Sequence, residues 1–253
     1  KGRNVAGYKT EDIRNVALVG HGGTGKTTLA DLFLFKGGVN NRAGSVDDGS
    51  SVFDTDDDEK ERKSSITSSL GHITHSGKRI NFIDTPGYPD FIGQVSGAVA
   101  AVETAVCLIN AGAGVEVNSR RVMQMADEAG IARAIVLNKC DGDNIDFDSV
   151  ISSIQESFGI QCIPINVPDQ VGGGFSAVTA TLGGDGEYTE PLTDCIVEAD
   201  EELMEAYLES GELSADDAAG GITKAIAAGT LVPIFCVSAR ADVGVSELLD
   251  GIA

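Results

Sequence analysis

A chain of 253 residues with 42% hydrophobic content suits one large domain, or one domain with an inserted lobe, around a sizeable core. Its formal net charge of −21 argues against indiscriminate nucleic-acid binding and against sequence-specific DNA as a partner, while leaving room for docking on a ribonucleoprotein through a local patch. No apolar run is long enough to cross a bilayer, no leader or initiating Met stands before the polar start Lys1 to Thr10, and Cys107, Cys140, Cys162, Cys195 and Cys236 are never spaced C-x-x-C. These features point to a fragment or processed chain carrying reduced thiols in the cytoplasm, with no membrane partner.

Strand-like and helix-like segments alternate from the beginning, the pattern of βαβ units around a mostly parallel sheet. Val16 to Val19 reads as the first strand and Lys26 to Phe35 as the first helix. Asn40 to Ser65 is polar and without a regular period, the signature of a long functional loop. Its run Asp54-Thr55-Asp56-Asp57-Asp58 fails as a calcium loop, because Glu59 replaces the sixth-position Gly and Ser65 the twelfth-position Glu; a solvated acidic loop is expected. Ile66 to Thr74 and Lys78 to Ile83 read as strands joined at Ser76-Gly77, followed by a helix over Asp90 to Val99. Further strands are expected at Ala105 to Asn110 and Ala134 to Leu137, with helices at Glu116 to Ala129 and Asp148 to Phe158, the latter stopped by Gly159.

Beyond Gly159 the composition changes. Pro164, Pro168 and several Gly punctuate short strand-like runs such as Phe175 to Leu182, and an acidic helical stretch covers Thr193 to Glu209. Ser214 to Ala228 opens with Ser214-x-x-Asp217, a capping box with Asp in the Glu position. Val232 to Val237 restores the apolar strand, and Val245 to Ile252 closes the chain as a helix. The expected division is therefore 1–159, an inserted subdomain at 160–229, and 230–253 returning to the first domain.

The first strand runs into Gly20-His21-Gly22-Gly23-Thr24-Gly25-Lys26-Thr27-Thr28, which satisfies G-x-x-x-x-G-K-[ST] in the strand, loop and helix setting that the motif requires. Glycines let backbone N–H groups curl around a phosphate and the following helix turns its positive end to it. Lys26 would meet the β- and γ-phosphates and Thr27 a Mg²⁺. Asp84-Thr85-Pro86-Gly87 ends the next parallel strand; there an Asp can hold Mg²⁺ through water and the Gly can bring an N–H to the terminal phosphate. Asn138-Lys139-Cys140-Asp141 ends another strand, where the Asp carboxylate can accept from both guanine donors that adenine lacks. Asn138 would brace that loop and Lys139 lie along the base. Ser238-Ala239-Arg240, after the last strand, can offer a backbone N–H to the guanine carbonyl. Between the first two motifs Thr67, at the end of the long loop, is the expected γ-phosphate and Mg²⁺ residue, with a strand-edge Thr as the alternative.

With these elements in order, the chain resembles the GTP-binding domain of translational GTPases, and among them elongation factor G. G-H-G-G-T-G-K-T-T is similar to that family's A-H-x-D-A-G-K-T-T, and I-D-T-P-G-Y-P-D-F to its D-T-P-G-H-V-D-F. A-D-E-E-L-M-E-A-Y-L-E-S-G-E-L-S resembles the helix of the subdomain inserted before the last strand, and L-V-P-I-F-C-V-S-A-R followed by G-V-S-E-L-L-D resembles the closing strand and helix. Three departures stand out. Tyr88 replaces the family's His after D-T-P-G, and a phenol is no base at neutral pH although it can hydrogen-bond a water. Gly23 replaces an Asp implicated in monovalent-cation binding, and R-K-S-S-I-T (Arg62 to Thr67) replaces R-G-I-T with two extra residues. Tyr88 especially looks like a divergent paralogue branch.

The resemblance implies an α/β P-loop NTPase fold, with a mostly parallel central sheet flanked by helices and an inserted α+β subdomain. It implies GTP/GDP and Mg²⁺ as cofactors and ribosome-stimulated GTP hydrolysis in elongation or translocation. The catalytic set would be Lys26, Thr67, Gly87 and Tyr88. The nucleotide set would be His21, Gly22, Gly23, Thr24, Gly25, Lys26, Thr27, Thr28, Asp84, Gly87, Asn138, Lys139, Asp141, Ser238, Ala239 and Arg240, with Thr27, Thr67 and Asp84 on the metal. Implied partners are the ribosome at its factor-binding site, a stalk protein through the insert, and downstream domains of a longer parent. A GTP sensor with weak hydrolysis, a ribosomal-protection or peptide-release GTPase and, more distantly, a P-loop ATPase or kinase are the competing readings.

Overall fold

The computed structural model describes residues 7–210 and 213–253. Residues 1–6 of the polar start, and Gly211 and Glu212 within the expected insert, lie outside the described residues. The strands are β1 (Ile13–Gly20), β2 (Ser69–His75), β3 (Lys78–Asp84), β4 (Thr104–Asn110), β5 (Ala132–Asn138), β6 (Cys162–Pro164), β7 (Asn166–Pro168), β8 (Val178–Ala180) and β9 (Val232–Cys236). The helices are α1 (Lys26–Lys36), α2 (Asp57–Arg62), α3 (Ile92–Val99), α4 (Val117–Glu128), α5 (Phe147–Phe158), α6 (Thr189–Glu198), α7 (Glu201–Ser210), α8 (Ala215–Ala228) and α9 (Val245–Ile252).

Seven strands form one sheet in the order β2-β3-β1-β4-β5-β9-β6, with β2 antiparallel to β3 and the other pairs parallel. The central strand β1 is apolar on both sides because both sheet faces are covered. Val16 and Leu18 face a core with Leu29, Phe33, Phe82 and Leu248. Ala17 and Val19 face the opposite core, with Val95, Val122 and Ile151. Phe33 of α1 meets Phe82 of β3 edge to face, with ring centroids 5.5 Å apart. β1 lies between β3 and β4, so the connections that follow its neighbours diverge there and open a crevice at the carboxyl ends of the strands.

Two expectations change. The stretch Asn40 to Ser65 contains a helix, α2, started by a capping box between Asp56 and Glu59, and Glu59 is fully buried rather than solvated. Its carboxylate accepts from the backbone N–H groups of Thr55, Asp56, Ile66 and Thr67, so this acid folds the loop on itself. The acidic stretch Thr193 to Glu209 is two helices, because Asp200 accepts from the Glu202 N–H and caps α7 afresh.

Residues 160–229 contribute to two bodies. β6 is the edge strand of the large sheet, pairing with β9. β7 and β8 form a separate two-stranded ribbon, with the Asp169 carboxylate accepting from Ser176 and Ala177 between them. Helices α6 and α8 bury Leu192, Ile196 and Ala225 with Leu231 in a small third core. Ser214 caps α8 through the Asp217 N–H, as its sequence signature anticipates.

Candidate functional site

The carboxyl ends of β1, β3 and β5 open on a cavity of about 520 Å³. Its lining includes Gly22, Gly23, Gly25, Lys26, Thr27, Thr28, Gly87, Tyr88, Asn138, Lys139, Ala239 and Arg240, so residues from all four motifs meet in one place. His21 and Thr24 shape the loop from behind. Thr24 Oγ1 donates to the His21 carbonyl at 3.0 Å, and the His21 ring stands 3.5 Å from Glu116 with Nδ1 buried and unpartnered. Gly25 has φ 95° and is the N-cap of α1; a Cβ there would be strained and would collide with the Asn138 amide. Lys26 is buried, and its Nζ donates to the carbonyls of Gly20 and His21 at 3.1 and 2.7 Å.

Below the loop, Thr27 Oγ1 donates to Asp84 Oδ2 at 2.7 Å and lies 3.0 Å from Ser65 Oγ. Among the described residues Asp84 Oδ1 is buried without a partner. Burial pushes the Asp84 carboxyl up to about 7 and Lys26 down to about 8, the attraction between the two opposing both shifts. A cation beside Asp84 would favour its charged carboxylate, and an anion beside Lys26 its charged ammonium. An unsatisfied carboxylate oxygen, two hydroxyls and a helix N-terminus under a buried Lys form an all-oxygen, hard-donor site that fits Mg²⁺ with a phosphate chain. Among the described residues no group of three or more His, Cys, Asp or Glu converges as a metal site, so the hydroxyls carry part of this one.

Thr67 is not brought to the cavity. Its N–H and hydroxyl both donate to Glu59 Oε1, at 3.1 and 3.3 Å, which turns it away from Thr27. The hydroxyl beside Thr27 belongs to Ser65, two residues earlier. Read without a gap, Arg62-Lys63-Ser64-Ser65 sets Ser65, rather than Thr67, against the Thr of R-G-I-T.

Gly87 lies so close to the loop that a Cβ there would sit 2.5 Å from Lys26 Nζ and 2.6 Å from the Gly22 nitrogen. Asn118, at the start of α4, donates to the Gly87 carbonyl at 2.6 Å, a buried support that no motif announced. Thr85 anchors the same turn to Leu18 at 2.7 Å. Tyr88 is 49% exposed, its ring over Gly22, and among the described residues its hydroxyl has no hydrogen-bond partner.

At the other end Asn138 is fully engaged. Its Nδ2 donates to the Thr24 carbonyl at 2.8 Å, and its Oδ1 accepts from the Ala239 N–H at 2.9 Å. The Ala239 amide, one of those available to a base carbonyl in this loop, is thus already taken. Lys139 has φ 64° and lines the cavity, as does the exposed Arg240. Asp141, two residues after Lys139, is half-buried and not part of the lining, and Ser238 is buried with its Oγ accepting from the Ala241 N–H.

The sequence profile described as "Elongation factor Tu GTP binding domain" matches residues 11–253. Elongation factor G of Fervidobacterium nodosum is 32% identical over 95% of this chain and 38% of its own length. A crystal structure of a Thermus thermophilus protein superposes with a TM-score of 0.87 at 30% identity, covering 95% of this chain and 39% of that one. The chain thus spans about two fifths of the length of these relatives.

Proposed function

Because the chain belongs to the elongation factor Tu GTP-binding-domain family, we propose that it binds GTP and GDP with Mg²⁺ and hydrolyses GTP. It would do so as the nucleotide-binding domain of an elongation factor G-like translation factor, acting on the ribosome in elongation or translocation. The observation that carries this reading is the unpartnered buried oxygen of Asp84 beside Thr27 and under Lys26. A buried carboxylate oxygen left without a partner among the described residues, at a P-loop, suits a cation bound with a triphosphate.

In this reading Lys26 turns from the Gly20 and His21 carbonyls to the β- and γ-phosphates, and the Gly22 to Thr28 amides surround them. Thr27, Ser65 and Asp84 hold the Mg²⁺, which when bound neutralises charge that develops between the β- and γ-phosphates. The Gly87 N–H meets the γ-phosphate, its position set by Asn118. Tyr88 hydrogen-bonds the attacking water, and Asp141 with Lys139 selects guanine. The division into 1–159, an insert at 160–229 and 230–253 is part of the reading, with β6 of the insert tied into the main sheet. So are a cytoplasmic location, docking at the ribosomal factor-binding site, and contact of the insert with a stalk protein.

The test is competition and turnover. Labelled GDP should be displaced by GTP, with ATP at the same concentration having no measurable effect, and ribosomes should raise phosphate release. Displacement by ATP at comparable concentration overturns the guanine assignment; turnover indifferent to ribosomes overturns the ribosomal one.

A further inference from the structure

The Mg²⁺ seat contains a second carboxylate that no motif includes. Ser65 Oγ donates to Asp54 Oδ1 at 2.7 Å, the same length as the Thr27 to Asp84 bond. Asp54 is 3% exposed, lines the cavity and has its Oδ2 buried without a partner among the described residues, as Asp84 has its Oδ1. Ser51 Oγ accepts from the N–H groups of Phe53 and Asp54, which holds the backbone of this acid in place. Two hydroxyl–carboxylate pairs therefore stand side by side, one on the α1 and β3 ends, the other wholly within the 45–68 loop.

A hydroxyl has one proton and two lone pairs. With the Thr27 proton given to Asp84 and the Ser65 proton given to Asp54, neither is left for the 3.0 Å contact between the two hydroxyl oxygens. Lone pairs then converge between them, an arrangement that a cation stabilises. The spacing agrees: adjacent ligands at 2.0–2.1 Å on an octahedral Mg²⁺ are about 2.9 Å apart. Ser is also freer than Thr about its side-chain torsion, so a Ser in this position gains more from an external acceptor that selects one rotamer.

We propose that Asp54 is a positioning residue which fixes the Ser65 hydroxyl with its lone pair toward the divalent cation, as Asp84 does for Thr27. The proposal rests on the reading of this cavity as a Mg²⁺–nucleotide site. It makes closure of the loop depend on a pair inside the loop itself, with Glu59 stapling Ile66 and Thr67 immediately behind.

The experiment measures dissociation of a fluorescent, non-hydrolysable GTP analogue from the 253-residue chain as Mg²⁺ is titrated, with a chelator arm as baseline. For the native chain Mg²⁺ slows dissociation. Asp54→Ala should raise the Mg²⁺ concentration for half-maximal slowing about tenfold, the usual effect of losing a ligand-orienting partner, and leave the chelator rate unchanged. Ser65→Ala should match it, and the double variant should be no worse than Ser65→Ala alone. Asp54→Asn, whose amide oxygen accepts the same hydrogen bond, should keep most of the native Mg²⁺ affinity, and it stands in where Asp54→Ala does not give the native far-ultraviolet dichroism. Additive losses in the double variant, an equal change in the chelator arm, or a folded Asn variant with a tenfold loss overturns the positioning role. A native chain that binds the analogue without any Mg²⁺ effect overturns the Mg²⁺ reading itself and the proposal with it.

Discussion

The two ends of the cavity are built differently. At the phosphate end, charged and hydroxyl side chains contact one another: Thr27 with Asp84, Ser65 with Asp54, and Lys26 buried above them. At the base end, one neutral side chain, Asn138, ties two backbone segments together through both ends of its amide. In the proposed reading the phosphate end would rearrange as Lys26 leaves the Gly20 and His21 carbonyls for its ligand, while Asn138 would keep the base end in place.

The largest test of this contrast is selectivity. Asp141→Asn should cut the preference for guanine over other purines about 10⁴-fold, because one of the two carboxylate oxygens that accept from the guanine donors becomes an N–H donor. Competition between guanosine, xanthosine and adenosine diphosphates measures it, and the variant should favour xanthosine diphosphate. An unchanged preference would mean that Asp141, which is not part of the cavity lining here, does not close on the base. Next, Lys26→Ala should weaken GDP binding about 10³-fold through loss of charge-assisted phosphate bonds, with base selectivity intact. Parallel losses in both quantities would show that the ends are not independent.

Asn138→Ala attacks the connection. It leaves the Thr24 carbonyl and the Ala239 N–H buried and unpaired, each worth about 1–3 kcal/mol. We expect a melting temperature lower by roughly 6–12 °C without ligand. Calorimetry of the nucleotide-free chain checks this, and a shift under about 2 °C would mean that water satisfies both groups.

Legibility in the sequence follows the same divide. The strand ends carrying Gly20, Asp84 and Asn138 were readable because each motif combines a backbone demand with a fixed neighbour: a left-handed Gly25, a close-packed Gly87, an Asn before Lys139. The parallel sheet was readable from its apolar runs. The 45–68 loop was not, because its acids look solvated by composition, whereas Asp54 and Glu59 are buried by hydrogen bonds that only the folded loop supplies. Ser65 is legible only through an ungapped reading of Arg62 to Ser65; that it, and not Thr67, reaches Thr27 is set by Glu59 holding the Ile66 and Thr67 amides. Asn118 is likewise set by α4 packing rather than by any motif.

Charge at the phosphate end also predicts a pH dependence. Burial raises the Asp84 carboxyl from the ordinary 3.8 to about 7 and raises Asp54 and Asp31 in the same direction. The folded state therefore holds protons that the unfolded chain has released between about pH 4 and 7. The stabilisation from these groups is full at low pH and is lost as pH rises through 7. The melting temperature of the nucleotide-free chain should carry a downward component of a few degrees over that window. Asp84→Asn should flatten it, and Mg²⁺ with GDP should do the same for the native chain. An identical slope in the Asn variant would place the titrating groups elsewhere.

The smallest effect on affinity is expected at Tyr88, and there the contrast between ends becomes a contrast between binding and chemistry. Its hydroxyl has no partner among the described residues and its ring rests half-exposed over Gly22. Tyr88→Phe keeps the ring contact, so nucleotide affinity should stay within about twofold. If the hydroxyl holds the attacking water, ribosome-stimulated turnover should nevertheless fall about tenfold, the worth of one hydrogen bond made in the transition state. Tyr88→His restores a group able to bond water and should recover that loss or exceed it. Equal losses of affinity and turnover in Tyr88→Phe would make Tyr88 part of the phosphate grip. Turnover unchanged in both variants would leave the water to be placed by backbone around Gly87, whose position Asn118 sets.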